Sequence, residues 1–453
     1  MPERLEKTEE AQLKGFSANS DTDHVQSEIQ ECRESGLLKD LLKPPRGNET
    51  TTPFLPALIL TNDNNQSTVS EKPKSLDEII RSNERVFDPD RDGEISQKEL
   101  AHAASNPALD KNVLAAIVAL TKNYAALADL NNESIVFSKS LTLKDVDEFC
   151  KLANNSERNG SQKELMDSVD LAMKQTVNQA DNVNRDLFGK DNEISPKAVQ
   201  QGGIGDCSFL AVLAGMASTA SGRESIRNMI EPDGDGYVVK FPNGDTTRVV
   251  KPTAAELTLY AGNNGNGMWP AILEKAYGQV LSQKYNKDVN APQLAADGCE
   301  KYGPMNTLTG DKPCVQTIEP SKMIDEELHE ALIMMSRNAM VVTAGTGPNV
   351  DAMVKDGNQP MAERVDANGN PIEGKEPVAI SGFHVYSVER YDPESRSVFL
   401  RNPHDGAQLL KVPLSTYRQA FVGMSSVPDE RMVDQPTKYE ALKSPNFQRP
   451  NVA

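Results

Sequence analysis

Aromatic residues make up only 5% of this sequence, tryptophan occurs once, and apolar stretches are short. No run reaches the roughly 18 consecutive apolar residues that a bilayer-spanning helix needs. The five cysteines, Cys32, Cys150, Cys207, Cys299 and Cys314, are scattered, odd in number and contain no CxxC pair. They indicate neither a disulfide framework nor a zinc site, and reduced thiols in a cytosol-like compartment are expected. Positive charge is also in deficit, with 48 Lys and Arg against 66 Asp and Glu and a formal net charge of −18. That balance speaks against nucleic acid or an anionic membrane as the main partner, and suits calcium or basic peptide stretches. The N-terminal MPERLEKTEE is charged and no apolar core follows it, so no standard secretory signal is read and a cytoplasmic location is expected.

An apolar content of 38% is low for one globule, and 453 residues correspond to roughly two to four domains. Residues 1–73 are polar and rich in Glu, Asn, Ser and Thr, interrupted by a helical patch at Ile29–Leu42 and an apolar island at Phe54–Leu60. They are expected to be mostly disordered. Residues 74–184 read as an all-helical block. Ser75-Leu76-Asp77-Glu78 is a capping box, and Thr142 with Asp145 and Ser161 with Glu164 give further cap signatures. Helices are expected near 97–105, 109–129, 142–154 and 161–183.

Residues 185–425 shift in pattern. A helix is expected from about Cys207 to Ala217, and a hairpin at Tyr237–Phe241 and Thr246–Val250 turning on Asn243-Gly244. A helix follows at Trp269–Leu281, then strands at Ala339–Thr343, Phe383–Glu389 and Ser397–Arg401. Helices first and strands later within one block is an α+β pattern. Residues 426–453 are polar and proline-bearing and read as an extended tail.

Two stretches carry chemistry. Asp88-Pro89-Asp90-Arg91-Asp92-Gly93-Glu94-Ile95-Ser96-Gln97-Lys98-Glu99 fits the twelve-residue EF-hand loop. Calcium takes six to eight hard oxygens about one point. Asp88, Asp90 and Asp92 supply carboxylates at alternate positions, Gly93 allows the turn, Glu94 offers its backbone carbonyl, and Glu99 closes bidentately. Ile95 sits where such loops pair through a short β-bridge. The plainer alternative is a capped helix after an acidic turn, since Ser96 and Glu99 form a capping box by themselves. Ser134–Asp145, with Leu141 and Asp145 at matching offsets, reads as a degenerate partner without metal.

The second stretch, Gln200-Gln201-Gly202-Gly203-Ile204-Gly205-Asp206-Cys207, is a glycine-rich loop ending on a cysteine that opens an apolar helix. A helix N-terminus favours the thiolate, the reactive form. A nucleophilic cysteine needs a base, and the base an orienting group. Of five histidines, His384 on a strand, with Asn402 across one hairpin, forms the best such pair. Spacing alone leaves two readings open, a reactive thiol or a buried structural cysteine beside a core histidine.

The stretch from Gln201 to Ala211 resembles the active-site signature of calpain-type cysteine peptidases. Trp269–Tyr277 resembles another segment of that catalytic core, Phe383–Val388 its histidine segment, and Leu400-Arg401-Asn402-Pro403 its asparagine segment, all in the family's order over about residues 186–425. The resemblance implies a two-lobed, papain-like core following the EF-hand-like helical block, acting on protein or peptide substrates. It implies Cys207 as nucleophile, His384 as base, Asn402 as its orienting group, and Gln201 with the Cys207 backbone N–H as oxyanion hole. Ser208 and His404 stand where the family has tryptophans, and the loss leaves the His–Asn bond less shielded. With calcium as cofactor, the implied protein is a calcium-responsive endopeptidase. The alternatives are a catalytically weak, calcium-dependent binding protein on the same scaffold, and a papain-fold acyltransferase.

Overall fold

The computed structural model describes residues 75–130, 140–155, 159–182, 185–262, 266–285, 303–310 and 316–429, all within one compact unit. The patch at 29–42, the island at 54–60 and most of the segment past Pro428 lie outside the described residues, as do 131–139 of the degenerate loop.

The first elements follow their caps. Helix α1 (Leu76–Ser82) starts on the Ser75 capping box and is followed by the short α2 (Glu84–Phe87). After the acidic loop come β1 (Glu94–Ile95) and α3 (Gln97–Ala104), the latter opened by the Ser96–Glu99 box. The expected helix over 109–129 is two helices, α4 (Lys111–Lys122) and α5 (Tyr124–Ala128). They part at Asn123, where φ is −112° and the side-chain amide donates to the Ala119 carbonyl at 2.9 Å. Such local side-chain bonds compete with helix continuation. Strand β2 (Leu141–Thr142), α6 (Leu143–Asn154) and α7 (Gly160–Asn182) complete the block.

Next come α8 (Cys207–Ser218), α9 (Ala220–Met229), and a three-stranded antiparallel sheet of β3 (Ile230–Asp233), β4 (Gly236–Lys240) and β5 (Thr246–Val250). The expected hairpin is its β4–β5 arm, turning at Gly244 with φ of 97°. Helices α10 (Ala254–Leu259), α11 (Trp269–Lys284) and α12 (Gly303–Thr309) follow. The last part holds β6 (Gln316–Ile318), α13 (Asp325–Asn338), β7 (Ala339–Thr346), α14 (Pro348–Lys355), β8 (Met361–Val365), β9 (Val378–Ala379), β10 (Val385–Asp392), β11 (Ser397–Arg401), β12 (Leu409–Pro413), α15 (Leu414–Ala420) and β13 (Phe421–Pro428). These strands form one eight-stranded antiparallel sheet in the order β6-β13-β7-β10-β11-β12-β8-β9. The chain is thus mixed α+β.

Strand β13 differs from expectation. An extended tail was read from 426 onward, yet Ser426 pairs with Val342 and Val427 with Val341. Val427 is fully buried. A single apolar residue among polar ones is too weak a signal for a strand when its partner lies far away in sequence.

Two large apolar clusters stand behind the sheet and the helices, beside a small one of Val365, Phe399 and Leu409. One lies between the large sheet and helices α13 and α15, around Tyr386, Tyr417 and Phe421. The other runs without interruption from Leu76 and Ile117 in the first block to Phe209, Trp269 and Tyr277. Phe209 and Tyr277 stack at 4.5 Å between ring centroids, which fixes α11 against α8. Helix α10 packs on both α4 and α7, so the first block and the cysteine-bearing one share an interior. No described helix is long and apolar enough to cross a membrane.

Candidate active site

Cys207 is the first residue of α8, with Asp206 before it as a cap residue whose side chain makes no capping bond. The free N–H groups and positive dipole end of the helix therefore meet the thiol unscreened. From Phe209 to Ala217 the helix is buried, and it packs on β7 and β10. The loop leading in rests on the end of α10. A Cβ at Gly202 would stand 2.2 Å from both the Leu259 and Tyr260 carbonyl oxygens, so only glycine fits there. Gly203 N–H donates to the Leu259 carbonyl at 2.7 Å. Gln201 N–H donates to the Pro403 carbonyl at 2.7 Å, which ties this loop to the segment carrying Asn402.

His384 lies just ahead of β10, because Phe383 takes a positive φ of 49° and the extended run starts only at Val385. That conformation is costly for a bulky residue and is held by its surroundings. Thr346 does the holding. Its hydroxyl donates to the Ser381 carbonyl at 2.7 Å and accepts His384 N–H at 3.0 Å, and its own N–H donates to the His384 carbonyl at 2.9 Å. The imidazole Nε2 donates to Asn402 Oδ1 at 2.8 Å. This bond places the proton on Nε2 and leaves the Nδ1 lone pair to receive a proton. Asn402 Oδ1 also accepts His404 N–H at 2.9 Å. Arg401, next in the chain, is locked to Glu389 at 2.5 Å and to the Gly406 carbonyl at 2.6 Å, both largely out of water.

Charge at the site follows from burial. Burial pushes the Cys207 thiol up to about 11, aided by the nearby Asp206 carboxyl and opposed by the Val385 N–H that bonds the sulfur. Burial pushes His384 down to about 4, aided by His404 and opposed by Asn402. Both shifts favour a neutral thiol and a neutral imidazole in the resting site. Beneath Cys207, the Asp206 and Glu274 carboxyls are both buried against each other. Burial raises Asp206 to about 7 and Glu274 well above the usual range. Two such close carboxyls cannot both ionise and share a proton. Glu274 Oε2 also accepts Ala261 N–H at 2.5 Å.

Gln201 lies in the same loop. Its Nε2 donates one hydrogen to the Ile204 carbonyl at 2.7 Å, and a primary amide carries a second for an oxyanion. His329 and His102 are not drawn in. His329 on α13 bonds the Tyr391 hydroxyl at 2.6 Å, and His102 lies on α3. Cys150, half-buried, has its thiol pushed up by desolvation.

The acidic loop brings together Asp88, Asp90 and Glu99, with one ligand oxygen of each within 4.8 Å of the others. Asp92 lies outside that trio, its Oδ1 accepting Glu94 N–H at 2.8 Å. Gly93 takes φ of 87° and Arg91 of 61°, while Gly93 N–H donates to Asp88 Oδ2 at 3.1 Å. Glu99 serves both alternatives at once. Its Oε2 closes the capping box with Ser96 at 2.7 Å, while its Oε1 and Asp88 Oδ1 are buried with no hydrogen-bond partner. Orphaned buried oxygens are costly, and a hard cation would satisfy them, so this donor set fits calcium. Ile95 pairs with Leu141 in a two-stranded bridge, as the offsets implied, and Tyr124 clamps it by donating to Ile95 O at 2.8 Å and accepting Leu141 N–H at 3.1 Å.

Three residues at the site were not singled out from sequence. Thr253 caps α10, forms a capping box with Glu256, and donates its hydroxyl to the Ala104 carbonyl at the end of α3 at 2.6 Å. Its T-x-x-E spacing was readable, but its reach to α3 was not. Thr346 carries no local motif. Gln200 holds the turn after Asn402, donating to the His404 carbonyl and accepting Gly406 N–H at 3.2 Å.

A family model described as calpain family cysteine protease matches residues 174–406, just over half of the chain. No curated protein matches it.

Proposed function

Because the chain belongs to the calpain family of cysteine proteases, we propose that it hydrolyses peptide bonds in protein substrates through Cys207, under the influence of calcium held by the Asp88–Glu99 loop. The observation that carries the first part is the His384–Asn402 bond, 2.8 Å long, at the start of a strand against which the helix opened by Cys207 packs. The Cys207 thiol gives its proton to His384 Nδ1 as sulfur attacks the scissile carbonyl carbon. The developing oxyanion takes the Cys207 backbone N–H and the second Gln201 hydrogen; losing one such donor costs about 2.7–4 kcal/mol elsewhere. The imidazolium then protonates the leaving amine, releasing the C-terminal product and a thioester. Water, deprotonated by His384, attacks the thioester, and the thiol is restored. The competing reading, a binding protein on a weak catalytic scaffold, draws on the thiol's bond to Val385 N–H and the neutral resting pair.

Residues Asp88, Asp90, Asp92 and Glu99, with the Glu94 carbonyl, would hold calcium. The ion would supply positive charge that lets these carboxylates approach one another. What this chain offers downstream is a continuous route. Helix α3 leaves the loop, Ala104 bonds Thr253, Thr253 caps α10, and the α10 carbonyls support Gly202 and Gly203, five and four residues before Cys207.

Calorimetric titration tests the calcium reading. Wild type should bind calcium with measurable heat, and Asp88→Ala should not. With free calcium about 100-fold above Kd, one site specific for the folded state adds about 2.7 kcal/mol of stability. Equal unfolding midpoints in calcium and in chelator would overturn it.

A further inference from the structure

The ring of His404 lies against the ring of His384, with centroids 4.4 Å apart and planes 27° from parallel. His404 is built into this place. Its N–H donates to Asn402 Oδ1 at 2.9 Å, the same oxygen that accepts from His384 Nε2. Its carbonyl accepts the Gln200 side-chain amide, whose oxygen takes Gly406 N–H at 3.2 Å. The Tyr386 ring stands edge-on to the His384 ring, 5.0 Å between centroids. His384 thus meets two rings, and one of them can acquire a charge.

Resting on the peptidase reading above, we propose that His404 is a positioning residue that makes the site sensitive to acid. While neutral, it shields the His384–Asn402 bond as a flat aromatic surface. When protonated, it puts a positive charge face to face with the ring that must accept the Cys207 proton. Two stacked imidazolium rings repel, so His384 cannot take up the proton and hydrolysis stops. A tryptophan, the residue of the family at this position, would shield without charging.

The surrounding groups do not supply another charge of that kind at this position. Asp405, on the same turn, is exposed and sits 3.7 Å from Arg364. Arg401 is bound to Glu389 and the Gly406 carbonyl. From α8 come Cys207, a neutral thiol at rest, and Asp206, which shares a proton with Glu274. From β10 and the residue before it come Tyr386, whose hydroxyl burial keeps protonated, and His384 itself. Lys197, in the turn at Pro196–Ala198 that packs on α8, is a further cation on a neighbouring element. His404 is exposed as a whole, yet desolvation lowers it, so the charge appears below the ordinary histidine range.

Two measurements on wild type and His404→Trp test this. The first is the NMR titration of the His384 ring, which needs no turnover. In wild type, His404 charges first as pH falls and holds back His384. In His404→Trp, the His384 midpoint should move to higher pH. The second is the pH profile of inactivation by an E-64-type epoxide. At the acidic pH where wild type keeps a tenth of its plateau rate, His404→Trp should keep at least about half, roughly a fivefold gain, with the alkaline limb unmoved. An unchanged His384 midpoint together with an unchanged acid limb would overturn the proposal. No inactivation of either protein at any pH would instead overturn the peptidase reading, and the NMR shift would still decide the role of His404.

Discussion

Replacing Cys207 by alanine is expected to cut peptide hydrolysis by about four to six orders of magnitude, on the scale seen when a covalent nucleophile is removed. The loss should be confined to chemistry. Cys207 is only partly buried at the start of α8, and the residues that hold that helix, from Phe209 to Ala217, are untouched. Truncating one sulfur there opens little core volume, so the unfolding midpoint should hardly move. A variant that kept more than about a hundredth of wild-type activity would show that the thiol is not the nucleophile.

The second large effect is on stability. Lys275 and Glu256 form an ion pair sealed from water, with Nζ 2.7 Å from Oε1 and donating to Oε2 at 2.8 Å. Their side chains are 2% and 0% exposed, so solvent screens the pair very little. Glu256 also accepts Thr253 N–H at 2.9 Å, closing the α10 capping box. Lys275→Met would strand a buried carboxylate, which costs about 3–5 kcal/mol when one partner of such a pair is lost. Burial already raises the Glu256 carboxyl, with Lys275 opposing, so the variant's Glu256 should take up a proton instead of staying charged. Denaturant unfolding reads the loss, and the double variant Lys275→Met with Glu256→Gln should recover part of it. A loss below about 1 kcal/mol would mean that the pair is not sealed.

How legible these features were depended on the distance over which each is written. Capping boxes act over three residues, and the helices starting at Leu76, Gln97 and Leu143 began where their boxes placed them. The Asn243-Gly244 turn and the strand Ser397–Arg401 were equally local, and both were found as expected. The loop leading into α8 was legible because glycine, acid and cysteine are adjacent there. The rest was written at long range. Strand β13 finds its partner β7 across some eighty residues, and β12 and β8 are too short to show alternation above background. Thr253 meets Ala104 across 149 residues, and no local spacing encodes that meeting. The stack of His404 on His384 depends on how tightly the turn after Asn402 closes, which Gln200 decides from the far side of the chain. Strand β10 starts two residues later than expected, through a Phe383 backbone conformation that its side chain does not advertise.

The central claim is that His384, oriented by Asn402, makes Cys207 a nucleophile. Covalent labelling with an E-64-type epoxide, followed by mass mapping of the modified residue, tests it most directly. Wild type should carry a single adduct on Cys207, none on Cys150, and His384→Ala should label at least about a hundredfold more slowly. No adduct on Cys207 in wild type, with or without calcium, or equal labelling rates in wild type and His384→Ala, would contradict it.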